Sequence, residues 1–347
     1  MPAISAPPLK RRLLETLQAA LGVSAIGSAY AALVRAQGAI ILMYHSVAQA
    51  DSASWVDPHN HMPPEIFRRQ MRFLARRRRV VSMDELVETL SQGRTPPRKT
   101  VVITIDDGYL DTFTTAAPIL AEFRLPATLY LATGYVERGE NQWIDRLHGI
   151  FRTRTRNRLA WPPESPQDCR LDAADDCASI YHALVQRLLP CNWEERRALF
   201  EDLAAQLAPD TAPPRLTLRW DEVKEMNRRY PDLAIGGHTR DHLDLSGMSR
   251  DQVRTEVERC AADLQQQLGA LPHHFSYPYN RVSEIAQAEL AQCGFRSAAA
   301  SGTEVLIRSG APCYALPRVQ APCGIQRLAF ITSGAYPKLS ARLTGRF

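Results

Sequence analysis

The stretch Thr100–Phe113, TVVITIDDGYLDTF, constrains this chain more than any other. Val101, Val102, Ile103, Thr104 and Ile105 form a short, β-branched apolar run that is too brief for a helix and suits a strand buried on both faces. Asp106 and Asp107 stand side by side at its exit, followed by Gly108. Two carboxylates beside apolar surroundings are costly unless something binds them, and a cation is the natural candidate. Neighbouring side chains of a regular strand point to opposite faces, so the chain must bend here if both acids are to serve one site. Gly108 permits that bend. The blander reading is that one Asp caps the following helix while the other is solvated.

The chain around this stretch is long enough, at 347 residues, for one large α/β domain with insertions or for two small domains. Its 45% apolar and 23% charged residues are ordinary for a globular protein. The formal charge of +5 rests on arginine, since lysine occurs only at Lys10, Lys99, Lys224 and Lys338. A guanidinium suits anionic glycan or lipid phosphate. No basic cluster interleaved with aromatics points to nucleic acid, and the run Arg76–Arg79 falls at an expected helix end, where cations favour the dipole. The seven cysteines are scattered without a CxxC pair, which argues against both a disulfide framework and a thiolate zinc site and suggests a reducing compartment.

The first 38 residues are read as an N-terminal helical segment. Lys10, Arg11 and Arg12 precede an Ala/Leu-rich stretch, Leu13–Val34, that imitates a signal peptide, but Glu15 and Gln18 interrupt it. An amphipathic helix docked on the domain is expected, with peripheral membrane contact as the second reading. From Ala39 to about residue 330, short apolar runs alternate with helical patterns. Strands are expected at Ala39–Tyr44, Val80–Val81, Thr100–Ile105, Ala127–Leu131 and Leu233–Ile235, around Phe275, and near Arg296–Ala299 and Ala315–Val319. Helices are expected at Glu65–Arg77, after Ser82, over Asp111–Phe123, at Trp220–Arg229 and over Ser249–Leu268, with Gly269 as C-terminal cap. This rhythm predicts a parallel sheet or barrel. It breaks at about residues 136–217, read as a helical insertion that walls one side of a cleft and carries no nameable chemistry. Residues 331–347 form an uninformative tail.

His238 and His242 are four apart, directly after a predicted strand. If that segment coils into one helical turn, both imidazoles lie on the same side. Two imidazoles and a carboxylate leave positions open for water and substrate, as catalytic metal sites do, and these donors suit zinc, cobalt, nickel or manganese. Either pair alone is weak. Both, however, follow strands of one alternating sheet, and active sites of such folds collect at the carboxyl ends of the strands.

With these residues in view, the chain resembles the polysaccharide deacetylases of the NodB-homology type. That family's first motif, T-F-D-D-G, and second, H-S/T-x-x-H, are matched by Thr104-Ile105-Asp106-Asp107-Gly108 and His238-Thr239-Arg240-Asp241-His242. Its third motif, ending in Pro-Tyr-Gly, is similar to Tyr277-Pro278-Tyr279-Asn280, where Asn tolerates the left-handed backbone of the replaced glycine. The resemblance runs from about Ala39 to Val319, excluding the insertion. It implies an α/β fold, a distorted (β/α) barrel, and hydrolysis of an N-acetyl, or occasionally O-acetyl, group on an amino sugar. It also implies that Asp107, His238 and His242 hold a divalent metal, zinc first. Asp106 would be the general base, and the backbone N–H of Tyr279 would stabilise the oxyanion.

Three departures accompany the resemblance. Ser276 stands where many relatives have an arginine that pairs with the catalytic Asp, and Leu316-Pro317-Arg318 replaces a late Leu-x-His whose histidine is the general acid. Ala299-Ala300-Ser301 lies where an Asp-Trp motif is expected. His45, at the end of the first strand, is taken as the replacement acid, the alternative being a structural hydrogen-bond donor to the carboxylates. Tyr109, Tyr277 and Arg318 are assigned to substrate contact, with core packing as the competing account of the aromatics. His59, His61, His273 and His274 read as polar loop residues, and His148 and His182 as decoration of the insertion. The expected function is metal-dependent deacetylation of a surface polysaccharide or its lipid-linked precursor, at a cytoplasmic step of glycan assembly. The alternatives are a catalytically silent carbohydrate-binding scaffold and a deformylase acting on a lipid-linked sugar.

Overall fold

The computed structural model of the chain describes residues 36–300 and 305–334. The helix expected over Leu13–Val34 lies outside the described residues, as does the tail beyond Gly334. The first half of the fold contains β1 (Ala39–Tyr44), α1 (Pro64–Arg77), β2 (Arg79–Val80), α2 (Met83–Ser91) and β3 (Thr100–Ile105). A π-helical turn at Thr112–Ala116 leads into α3 (Ala117–Glu122), then β4 (Ala127–Leu131) and α4 (Thr133–Arg138). The insertion holds α5 (Trp143–Thr153), β5 (Arg158–Trp161), β6 (Gln167–Arg170), α6 (Ala174–Leu188) and α7 (Trp193–Leu207). The alternation resumes with α8 (Trp220–Arg229), β7 (Leu233–Gly237), α9 (Arg250–Leu268), β8 (His274–Ser276) and α10 (Glu284–Cys293). It closes with β9 (Ser297–Ala300), β10 (Leu316–Gln320) and α11 (Ile325–Ile331).

Every residue of β1, β3 and β4 is buried, as their unbroken apolar runs require of strands covered on both faces. All barrel pairings are parallel, in the order β1-β10-β9-β8-β7-β4-β3, and β3 pairs back to β1 from Ala39↔Thr100 to Tyr44↔Ile105. The result is a closed seven-stranded barrel with a local distortion. One edge of β3 is shared: β2 takes its amino end at Thr100 and Val101, and β4 takes its carboxyl end at Thr104 and Ile105. Met83, Leu86, Val87 and Leu90 of α2 pack with Ala39, Ile41, Val102 and Tyr130, so this helix plugs the amino end of the barrel.

Two expectations need correction. The single helix expected over Asp111–Phe123 is split by the π turn, a feature that sequence periodicity does not encode. The insertion is not purely helical either. The Pro-rich segment joins the antiparallel hairpin β5–β6, and Trp161, Leu159 and Leu171 pack with Leu147, Leu184, Phe200 and Leu203 in a separate apolar core. Among the described residues, no helix is long and apolar enough to cross a membrane.

Gly236 and Gly237 end β7 just before His238. A Cβ on Gly236 would lie 2.6 Å from the His274 carbonyl oxygen and 2.6 Å from the Tyr130 ring. The absence of a side chain lets β7 press between β4 and β8, which fixes where His238 emerges. Gly236→Ala is therefore expected to cost about 1–3 kcal/mol of overpacking, measured by denaturant unfolding. An unchanged midpoint would overturn this steric account.

Candidate metal centre and active site

The site grows out of the strand ends. Asp106 continues the β1–β3 ladder, its N–H donating to the Tyr44 carbonyl at 3.0 Å. The chain then bends at Asp107 itself, with φ of +76°, before Gly108 at +81°. The bend is therefore shared by two residues rather than left to the glycine. It brings Asp107 Oδ1 to 3.1 Å from His242 Nε2 and 3.4 Å from His238 Nε2, with Asp106 Oδ2 3.8 Å from His238 Nε2.

The histidine segment does not coil into a helical turn. It is an irregular loop in which Thr239 and His242 take positive φ values of +61° and +51°. The two rings still meet, with centroids 4.9 Å apart at 74°. Charge pins the loop from outside: Asp241 pairs with Arg138 at 2.7 Å, and Arg240 pairs with Asp263. The Asp241 N–H also donates to the buried Glu256 at 2.6 Å.

The donor set fits a divalent cation. His238 Nδ1 lies 2.7 Å from the Ser276 carbonyl, which can only accept, so this nitrogen carries the proton and Nε2 presents a lone pair. His242 Nδ1 lies 3.1 Å from the Tyr279 hydroxyl, and that hydroxyl donates to the His242 carbonyl at 3.2 Å. It therefore accepts from the ring, and His242 Nε2 is likewise a lone-pair donor. Asp107 Oδ1 is buried without a hydrogen-bond partner between these two nitrogens. Asp107, His238 and His242 thus place three ligand atoms within 4.8 Å of one another. Burial by itself would raise both carboxyl pKa values, yet both stay below the usual range. His242, His238 and His45 hold Asp107 down, and Arg318 does so for Asp106, ahead of His238 and His45. Burial in turn lowers the His242 pKa, against the pull of Asp107.

Arg318 is not a free substrate contact. Its guanidinium forks onto Asp106 with two bonds of 2.7 Å, and its remaining N–H groups reach Asn280 Oδ1 at 2.8 and 3.2 Å and Thr104 Oγ1 at 3.3 Å. The cation that Ser276 does not supply comes instead from β10, on the other side of β1. Asn280 takes the left-handed backbone expected of it, φ +55°, and adds an oxygen that glycine lacks. Tyr109 and Tyr277 also face inward. The Tyr109 hydroxyl donates to Asp145 at 2.6 Å, the Tyr277 hydroxyl to the Tyr314 carbonyl at 3.0 Å, and both residues are fully buried. Both hydroxyls are thus engaged by partners within the protein.

His45 follows Tyr44 at the end of β1, beside the Asp106 end of β3, and its Nδ1 is buried without a partner. The residues after it are tied down by Asp111, which accepts from Ser46 Oγ at 2.7 Å and from the Val47 N–H at 2.6 Å.

The insertion, to which the sequence lent no chemistry, builds one wall of the site. Gln142 Nε2 donates to the Asp107 carbonyl at 3.1 Å, and Trp143 Nε1 donates to the Tyr279 hydroxyl at 2.8 Å. Arg196 is buried with its guanidinium 5.1 Å from the Trp143 ring, bonded to the carbonyls of Leu188 (3.0 Å) and Asp241 (3.1 Å). Asp145, its pKa pushed up to about 8 by burial, accepts from Tyr109 and from the Asp57 N–H. No motif marks these residues, and in sequence Arg196 cannot be told from its exposed neighbour Arg197.

Comparison with known proteins follows the same lines. The sequence profile of the polysaccharide deacetylases matches residues 93–298. The poly-β-1,6-N-acetyl-D-glucosamine N-deacetylase of Escherichia coli K12 is 24% identical over 216 residues, covering 62% of this chain; the chain spans only 27% of that protein's length. The deacetylase PplD of Streptococcus pyogenes, solved with acetate, is similar in fold, with a TM-score of 0.55 at 19% identity over 85% of this chain and 97% of the other. IcaB of Ammonifex degensii gives a TM-score of 0.57 at 18% identity, over 86% of this chain and 98% of the other. With more than half of its length matched by the family profile and both carboxylate and histidine motifs gathered at one barrel mouth, this chain belongs to the polysaccharide deacetylase family.

Proposed function

We propose that this protein hydrolyses the N-acetyl group of an amino sugar in a polysaccharide or its lipid-linked precursor. The observation that carries the reading is the convergence of Asp107, His238 and His242 beside an Asp106 held ionised by Arg318. The substrate class is supported by the E. coli relative, named for a poly-N-acetylglucosamine.

Asp107 Oδ1 and the two Nε2 atoms would hold a divalent ion, zinc being the first candidate. When bound, such an ion supplies a lowered pKa for water and polarisation of a carbonyl oxygen. The remaining steps belong to the chain's own groups. Asp106 accepts a proton as the water oxygen bonds to the amide carbon. The Tyr279 N–H donates to the oxygen that becomes negative. His45 delivers a proton to the nitrogen as the C–N bond breaks, so that acetate and a free amine leave. Trp143 and Arg196 keep Tyr279 in place behind His242, and the insertion wall limits water on that side.

Incubation with N-acetylglucosamine oligomers and zinc or cobalt should release acetate, and a chelator should stop the release until metal is restored. Asp106→Asn and His45→Gln should each lower turnover by roughly 10²–10⁴-fold with metal content unchanged. Near-full turnover in either variant would remove that residue from the mechanism, and no acetate from any acetylated amino sugar would sink the whole reading. Tyr279→Phe leaves the His242 ring proton without an acceptor, and metal affinity should fall about 10–100-fold, read by competition with a chromophoric chelator.

The Asp106–Arg318 pair has a pH signature. Because the Asp106 pKa is depressed, its contribution to stability is present at neutral pH and lost as the pH falls through that depressed value. Arg318→Met leaves a buried carboxylate unpaired, and a loss of about 3–5 kcal/mol in denaturant unfolding is expected. In any folded Arg318 variant the acid limb of the rate profile should move upward by about 1–3 pH units. An unmoved limb would show that the pair does not set the ionisation of Asp106.

A further inference from the structure

At the opposite end of the barrel, a second group of ligand-type side chains meets. Asp84 lies in the first turn of α2, the helix that plugs the amino end, and His274 opens β8. Sequence reading puts His273 and His274 in a polar loop. The structure instead buries the His274 side chain, which is 2% exposed, while His273 and Asp84 are half-exposed. One oxygen and two ring nitrogens of Asp84, His273 and His274 lie within 4.8 Å of one another.

The details parallel those at the barrel mouth. His273 Nδ1 is 2.8 Å and His274 Nε2 is 3.2 Å from the same atom, Asp84 Oδ1. His274 Nδ1 is 2.9 Å from Ser297 Oγ, a hydroxyl that can accept the ring proton and leave the lone pair on Nε2. That Nε2 is buried and faces Asp84 Oδ1 at 3.2 Å, within ion-pair distance but without the geometry of a directed hydrogen bond. Two imidazole nitrogens, one of them buried, converging on one carboxylate oxygen are what a site for a cation presents. One group opposes a cation here: Arg296 NH1 lies 3.6 Å from Asp84 Oδ1. Its other arm is 3.7 Å from Glu88, one helical turn further along α2, so a second carboxylate is at hand to take the guanidinium.

We propose that Asp84, His273 and His274 form a second divalent-metal site, of the zinc class, that fastens the α2 plug to β8. Its donors are the two-imidazole, one-carboxylate set that suits zinc, cobalt or nickel, and the exposed edge leaves room for water to complete the coordination. It lies at the amino ends of the strands, the face of such barrels that serves stability rather than catalysis. The role is structural, and it does not depend on the deacetylase reading.

Equilibrium dialysis of the untagged full chain against zinc, with elemental analysis, should find two equivalents. Asp107→Asn/His242→Gln should retain one, and Asp84→Asn/His274→Gln should retain the other, with acetate release intact. Added zinc should raise the thermal midpoint of Asp107→Asn/His242→Gln, and this rise should vanish when Asp84→Asn is added. His273→Ala, at a half-exposed position, gives a folded test should the buried variant fail to fold: it should weaken the second equivalent at least tenfold. Wild-type metal content left unchanged by both Asp84→Asn/His274→Gln and His273→Ala, whether one equivalent or two, would overturn the proposal. A wild type that binds only the equivalent removed by Asp84→Asn/His274→Gln would count against the active-site assignment and leave this one standing.

Discussion

Two adjacent carboxylates buried at the end of one strand set the electrostatic problem that the surrounding structure solves. Neither Asp106 nor Asp107 is more than 4% exposed, and an unpaired buried charge costs several kcal/mol at least. The two acids are answered differently. Asp106 is closed by a two-pronged bond to Arg318, which Asn280 and Thr104 hold in turn, so its charge is neutralised within the protein. Asp107 is left with an oxygen that no hydrogen bond satisfies, facing two imidazole nitrogens whose protons are committed elsewhere. One carboxylate is thereby held as an anion by an internal cation, and the other is left in a candidate metal-ligand group. Different neighbours give different environments to chemically identical side chains.

That division requires the backbone to leave the strands abruptly. Asp107, Thr239, His242, Tyr279 and Asn280, none of them glycine, all take positive φ at the barrel mouth. Residues in sparsely populated backbone regions cost of order 1–3 kcal/mol each and persist only where their surroundings over-determine them. The determinants are visible: Glu256 and Arg138 on the histidine loop, Trp143 and Arg196 around Tyr279, and Arg318 on Asn280. Ordinary helices and strands behind the site therefore hold side chains at angles that a regular strand could not give.

The insertion supports the barrel mouth from one side. Its own apolar core lets α5 and α7 stand as a rigid wall. From that wall Gln142, Trp143 and Arg196 reach the Asp107 carbonyl, the Tyr279 hydroxyl and the histidine loop. Asp145 ties it to Tyr109, two residues beyond Asp107. A segment outside the repeating strand–helix rhythm thus packs directly against the candidate site.

What the sequence determined by itself was whatever depends on local periodicity and on short spacing. Unbroken apolar runs at Ala39–Tyr44, Thr100–Ile105 and Ala127–Leu131 allow little but buried parallel strands, and Trp220–Arg229 folds with the helical limits its pattern implies. The adjacent acids and the two histidines four apart were visible because each follows such a strand. The tertiary structure alone decided the partners. That Arg318, some two hundred residues from Asp106, closes on it depends on β1 pairing with both β10 and β3 in a closed ring. That Tyr109 and Tyr277 turn inward, that Arg196 is buried where Arg197 is not, and that His274 meets Asp84 follow from the same cause. A side chain's neighbours across a barrel are set by the closure of the sheet, and closure leaves no period in the chain for a reader to find.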